Sequence, residues 1–439
     1  MTDEVSRVAH NIADEWVERD ARVVWHGFTQ MSCYADNSPV IVERAEGREL
    51  IDVDGRRYLD AISSLWVTTL GHRVPELDQA VRDQLDLVAH STMLGNGNRT
   101  VVEFAERLAP RLPVDDPRLL FASDGAAAVE QALKIAFQYW TNQGVTGRDR
   151  FLALGGAYHG DTIGSLSLGD GGFGTDVYDP LRFATVRAPG YDDPACIATA
   201  CRLIAEHADE LAAVVIEPMV QGAAGMQLRP AAEFAAIDEA CRAHDVLLIC
   251  DEVATGFGRT GTLFASEQCG LRPDVMAMGK GITGGYLPMS VTAASSRVAA
   301  AFDGPDLSER TLYHGHSYGG NALAAAVALR HLELIDERAV LDNVVARAAE
   351  LGARLVEVDA HASVRAVRQA GLMVGVELDP PADGLRWGRR VSAGCIERGV
   401  LIRPLGDVVV LMPMLTTTSD EIDLIVDTLL ASLEDLTTP

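Results

Sequence analysis

Apolar residues in the middle of the chain come in short uninterrupted runs: Phe151 to Leu154, Ala213 to Ile216 and Val246 to Cys250, each closed by turn residues. Longer helical patterns such as Pro230 to His244 separate them, and this alternation predicts an α/β domain around a mostly parallel sheet. The N-terminal part reads differently. Val40 to Glu43 and Glu49 to Val53 look like strands, joined to a third at Arg57 to Leu59 through the turn at Asp54-Gly55, which predicts a small meander. From about Leu332 the chain enters a helix and then shows βαβ-like segments at Val374 to Leu378, Ala393 to Arg398 and Val408 to Met412. No internal repeat or low-complexity linker marks the borders. The expected division is therefore an N-terminal segment 1–75 that contributes to a small domain and to the site, a large domain 76–331, and a C-terminal small domain 332–439.

A chain of 439 residues, 48% hydrophobic and 23% charged, has the composition of an ordinary globular protein with a substantial core. Its 37 Lys and Arg against 63 Asp and Glu give a net charge of -26, which repels nucleic acid and anionic membranes. Any phosphate must be bound locally. The stretch MTDEVSRVAHNIADEWVERD carries acidic residues and no apolar core, so no secretory or transit signal is expected. No run of 18 apolar residues signals a membrane span either, and a cytoplasmic protein is expected. The seven cysteines are scattered without a CxxC pair, which signals neither a disulfide framework nor a zinc site.

Candidate chemistry gathers at predicted strand ends, where open α/β sheets collect ligands. The run Val246 to Cys250 ends in Asp251 and Glu252; Asp251 is either a solvated strand-end carboxylate or the partner of a protonated ring nitrogen. Past a second strand, Gly279-Lys280-Gly281 sets one lysine amid glycines. A lysine is usually a solvated charge, but one desolvated at a strand end can form a Schiff base and act as a general base. Ser123-Asp124-Gly125-Ala126 opens a helix running to about Trp140, and the N–H groups of Gly125 and Ala126 suit a phosphate monoester. Capping by Ser123 or Asp124 without any ligand explains the same residues. Tyr158, after the strand Phe151 to Leu154, is placed to stack on a flat heteroaromatic ring. His159-Gly-Asp161 and His314-Gly-His316 lack zinc-site spacing, and no metal is expected.

Together DEVATGFGRTG (251 to 261), MGKGITGG (278 to 285) and AYHGDT (157 to 162) resemble the class III aminotransferases, over nearly the whole chain. That resemblance implies fold type I of the pyridoxal 5′-phosphate enzymes, with Lys280 as the Schiff-base lysine and Asp251 as the pyridine-nitrogen partner. It implies a phosphate turn at Gly125 and Ala126 and Tyr158 as the stacking ring. It also implies a homodimer in which Gly315, His316 and Ser317 complete the partner's phosphate site. Trp25 to Met31, Ser63 to Trp66, His314 to Asn321 and Ile402 to Gly406 are most similar to the branch that aminates 8-amino-7-oxononanoate in biotin synthesis. Ala254 stands where ornithine and 4-aminobutyrate aminotransferases usually carry glutamine.

The same resemblance implies a substrate pocket of Phe28, Leu65, Trp66, Tyr158 and Arg403, the last meeting a substrate carboxylate. The adenosylmethionine-using branch typically has Tyr at the position of Phe28, Trp at Leu65, Thr at Ser317 and Tyr at Val410. These departures resemble the lysine-using branch, so L-lysine is the expected amino donor. An aminotransferase for an ω-amino acid or diamine shares every cofactor residue, and an isomerase or decarboxylase shares the scaffold. Glu217, before Pro218, reads equally as a positioning group or a structural carboxylate.

Overall fold

The uninterrupted apolar runs become strands because both of their faces are covered. In the computed structural model, which describes residues 12–170 and 174–437, Leu247 and Ile249 point into one core and Leu248 and Cys250 into another. Ala213 and Val215 against Val214 and Ile216 divide the same way. Alternate residues facing two helical layers require an apolar side chain at every position, which erases the polar-apolar alternation of a one-sided sheet.

The strands run β1 (Val42–Glu46), β2 (Glu49–Asp52), β3 (Arg57–Asp60), β4 (Arg118–Ala122), β5 (Arg150–Leu154), β6 (Val186–Ala188), β7 (Leu211–Ile216), β8 (Val220–Gln221) and β9 (Gln227–Leu228). They continue with β10 (Leu247–Asp251), β11 (Val275–Met278), β12 (Ser290–Ala294), β13 (Val364–Ala370), β14 (Met373–Leu378), β15 (Val400–Leu401), β16 (Arg403–Leu405) and β17 (Val408–Leu411). A seven-stranded sheet of order β4-β12-β11-β10-β7-β5-β6 forms the centre. Only β12 runs against its neighbours. The fold is thus the expected α/β arrangement, with helix Gly125–Asn142 packed on one face and helices Cys196–Glu206 and Ala235–Ala243 on the other.

The chain ends build two smaller sheets. The N-terminal meander β1-β2-β3 takes up β15 as a parallel fourth strand, and β13-β14-β17-β16 is antiparallel throughout. Two expectations change here. The segments at Val374 to Leu378 and Val408 to Met412 are not a βαβ unit, because β14 and β17 pair antiparallel once β15 and β16 have turned the chain around. The helix expected from about Leu332 begins at Ala322, its alanine-rich first turns being packed into the core. Residues 1–11, part of the stretch examined for a targeting signal, lie outside the described residues, as do 171–173 and 438–439. Among the described residues no helix is long and apolar enough to cross a membrane.

Candidate active site

Five parallel strands deliver their carboxyl ends to one edge of the central sheet, and each is followed by a residue type with chemistry to offer. Asp251 closes β10 in register with Ala277 of β11. Two residues beyond β11, Lys280 opens a 3-10 turn, Lys280–Thr283, in the left-handed backbone region at φ 41°. β4 leads into the helix at Gly125, β5 into the loop of Tyr158, and β7 into Glu217. Gly125, Ala126, Tyr158, His159, Asp161, Glu217, Asp251, Val253, Ala254 and Lys280, with Trp66 and Ala223, line a cavity of about 430 Å³.

Its floor is a hydrogen-bonded set of charges. Asp251 is nearly buried; its Oδ2 lies 2.7 Å from Nδ1 of the buried His159, and its Oδ1 accepts from the Val253 N–H at 3.0 Å. Burial opposes charge on His159, but the Asp251 hydrogen bond and negative charge prevail and raise its pKa. The remaining ring nitrogen, Nε2, is buried without a hydrogen-bond partner. Glu217 accepts from the N–H of Tyr158 at 3.1 Å and from that of Gly222 at 3.3 Å, so one carboxylate ties two walls together. Desolvation raises its pKa to about 7. Burial lowers the pKa of Lys280, against the opposing pull of Asp251 and Glu217. The neutral amine needed of a nucleophile is favoured accordingly. The Lys280 amine sits 4.9 Å from the centre of the Trp66 ring. Glu252, next in sequence, instead caps the helix Ala265–Gln268 through the Ala265 and Ser266 N–H groups.

A flat pyridine ring bearing a phosphate and a carbonyl fits this floor. Asp124 caps the helix through the Ala127 N–H, which leaves the first N–H groups, those of Gly125 and Ala126, without an intrahelical acceptor. Close packing holds the turn in place: a Cβ on Gly125 would meet Val253 Cγ1 at 2.6 Å, and one on Gly160 would meet Ala126 Cβ at 2.5 Å. Asp251 and Lys280 are the acid and amine such a cofactor needs, and Tyr158 lines the same space. A larger hollow of about 590 Å³ lies behind the loop at Gly155 and Gly156. Among the described residues its one lining cation, Arg187, is engaged by the carbonyls of Leu154, Ser167, Leu168 and Gly169. Among the described residues no cluster of His, Cys, Asp or Glu is placed to hold a metal.

Of the residues singled out in the sequence, the fold thus brings together Gly125, Ala126, Tyr158, Asp251, Lys280 and Trp66. It does not bring Gly315, His316, Ser317, Phe28, Leu65 or Arg403 into the cavity lining. His316 Nε2 lies 3.0 Å from Ser123 Oγ, beside the phosphate turn, while the Ser317 carbonyl is 2.8 Å from His90 Nε2. Phe28 and Leu65 are 58% and 48% exposed, and Arg403 is exposed on β16. Val410 is buried in a cluster with Trp66, Met226 and Met412 rather than lining the cavity. The hydrogen bond of His159 to Asp251 is a feature that the sequence, which suggests at most a metal ligand at this position, does not announce.

The class-III aminotransferase family model matches residues 31–433. An adenosylmethionine-8-amino-7-oxononanoate aminotransferase of Nitratidesulfovibrio vulgaris is 44% identical, covering 93% of this chain and 80% of that one. Another of the same name from Aquifex aeolicus is 41% identical over 95% of this chain and 96% of its own length. The crystal structure of the Methanocaldococcus jannaschii enzyme of that name superposes with a TM-score of 0.92 at 35% identity, covering 96% of this chain and 99% of that chain.

Proposed function

We propose, on the premise that this chain belongs to the class-III aminotransferase family, that it transfers an amino group to 8-amino-7-oxononanoate, giving 7,8-diaminononanoate in biotin synthesis. As a family member it is a pyridoxal-phosphate-dependent transaminase. The observation that carries the reading is the convergence of Lys280 and Asp251, from adjacent strand ends, in one cavity with the open helix terminus at Gly125. The substrate is taken from the relatives, whose names include 8-amino-7-oxononanoate.

Gly125 and Ala126 would hold the phosphate by backbone N–H groups, Tyr158 would supply the ring-facing aromatic, and Asp251 would pair with the ring nitrogen. When bound, the cofactor supplies a carbonyl that accepts the amino group and a ring that takes up the electron pair of the broken C–H bond. Lys280 would hold the cofactor through its amine and, once the donor amine is bound, would carry the donor's proton on Nζ, whose lowered pKa suits a base. His159 holds the Asp251 carboxylate in orientation. Arg403 receives a substrate carboxylate, and Phe28, Leu65 and Trp66 shape the substrate side.

The working form is a cytoplasmic homodimer in which Gly315, His316 and Ser317 reach the partner's phosphate; segments 1–75 and 332–439 form the small domain and 76–331 the large one. L-lysine is favoured as donor. Adenosylmethionine presents a flat adenine and a sulfonium cation, which aromatic walls recognise, whereas Phe28 and Leu65 are aliphatic or lack a hydroxyl. The relatives' names carry adenosylmethionine, so the test sets the two donors side by side with 8-amino-7-oxononanoate as acceptor and mass detection of the diamine. Diamine from lysine supports the whole reading; diamine from adenosylmethionine alone reverses the donor; no diamine from either, with amino transfer from ω-amino acids or other diamines to a different keto acceptor, reverses the acceptor.

A further inference from the structure

Trp66 forms one wall of the cavity, and the structure says what holds that wall where it is. Its residue is nearly buried, packed with Ile62, Val220, Met226 and Val410, and its backbone takes a left-handed conformation at φ 64°. Against the ring lies Gly222, in the hairpin loop between β8 and β9. A Cβ on Gly222 would stand 3.0 Å from Trp66 Cζ3 and 3.4 Å from Cη2. The Lys280 amine lies 4.9 Å from the centre of the same ring.

The loop has no freedom to retreat. The Gly222 N–H donates to Glu217 Oε2, and the Gly222 carbonyl accepts from the N–H groups of Gly225 and Met226 at 3.2 and 3.1 Å. Further along the loop, Arg368 Nε donates to the Gly225 carbonyl at 3.0 Å, and Gly375 leaves no room behind that carbonyl, since a Cβ there would stand 2.7 Å from it. With the loop backbone hydrogen-bonded and the ring packed in its cluster, a methyl on Gly222 would have to displace the indole, which itself lines the cavity.

Resting on the reading of this cavity as the transamination site, we infer that Gly222 is a specificity-determining residue: it seats the indole of Trp66 and so sets the width of the amine that reaches Lys280. Gly222 acts through Trp66, not on the substrate. It needs no special backbone angle, so alanine tests the missing side chain alone.

Holoenzyme is mixed in a stopped-flow instrument with hydroxylamine, which is slim, and with O-benzylhydroxylamine, which is bulky; both capture the cofactor carbonyl whatever the natural substrate. Gly222→Ala is expected to react with hydroxylamine at the wild-type rate and with O-benzylhydroxylamine about tenfold more slowly, the discrimination one methyl gives in a tight pocket. Trp66→Phe combined with Gly222→Ala should match Trp66→Phe alone with both probes, because the smaller ring leaves room for the methyl. Equal slowing with both probes, no slowing with either, or an effect of Gly222→Ala that persists beside Trp66→Phe overturns the inference. If Gly222→Ala alone does not fold, the pair in the Trp66→Phe background decides on the same terms. A wild-type holoenzyme that reacts with neither probe overturns the parent reading and the inference with it.

Discussion

The floor and the rim of the cavity are built on different terms. Floor residues Asp251, His159, Lys280 and Gly125 stand at or follow the strand ends of the central sheet, with His159 and Asp251 joined by a hydrogen bond and Gly125 in contacts too tight for an added methyl. The residues proposed as its substrate rim, Phe28, Leu65 and Arg403, come from the chain ends, stand outside the cavity lining and are exposed within a single chain. A sheet edge brings Asp251, Lys280 and Gly125 together inside one chain, whereas the proposed substrate residues are exposed in the monomer. Changes in the floor should therefore cost rate, and changes in the rim should alter preference.

Lys280→Ala tests the floor most severely. Transamination should fall by about 10⁴-fold or more, the upper end of what a positioned proton carrier contributes, and the donor-alone spectral change should vanish. Residual binding of pyridoxal phosphate through the Gly125 turn is compatible with this; a variant that still turns over at wild-type rate is not.

Asp251→Asn should preserve the fold and slow the donor half-reaction by about 10²- to 10³-fold, as expected on losing a fixed electrostatic partner. A near wild-type rate in single-turnover spectra would return Asp251 to the status of a strand-end carboxylate. His159→Ala removes a hydrogen bond to a charged group, worth roughly 1.5–3 kcal/mol, and should cost about 10- to 100-fold in the same measurement. An unaltered rate would make His159 a packing residue only.

Much of this floor was legible because it depends on local order. The apolar run ending at Asp251 and the glycine-flanked Lys280 mark strand ends without any knowledge of pairing. His159 was not legible, since its partner Asp251 lies 92 residues away and only the parallel arrangement of β5, β7 and β10 brings them together. The antiparallel pairing of β14 with β17 was hidden for the same reason: a buried apolar run carries no record of its direction. Near the rim, SSLW gives no hint that Trp66 turns inward while Leu65 turns out. Positive φ at Ser63, Ser64 and Trp66 decides it, and that depends on contacts with residues far along the chain, such as the Met412 carbonyl that accepts from Ser63 Oγ.

The smallest effect expected is on stability. Glu217 has its folded pKa raised from 4.5 to about 7, so the folded state binds the extra proton. Its contribution is fully present at low pH and is lost as pH rises through about 7. Denaturant unfolding of cofactor-free protein should therefore lose on the order of 1–3 kcal/mol between about pH 4.5 and pH 8, and Glu217→Gln should flatten that slope. Identical slopes in the two proteins would show that Glu217 is ionised throughout.

The chain contains only two lysines, Lys134 and Lys280. Lys134 is exposed on the helix Gly125–Asn142, with its amine 3.2 Å from His314 Nδ1, away from the cavity lining. Borohydride reduction of the holoenzyme followed by peptide mass mapping is thus the most direct test of the site. The account predicts the reduced cofactor on the peptide containing Lys280 and none on Lys134; the label on Lys134, or no covalent label at all, would contradict it.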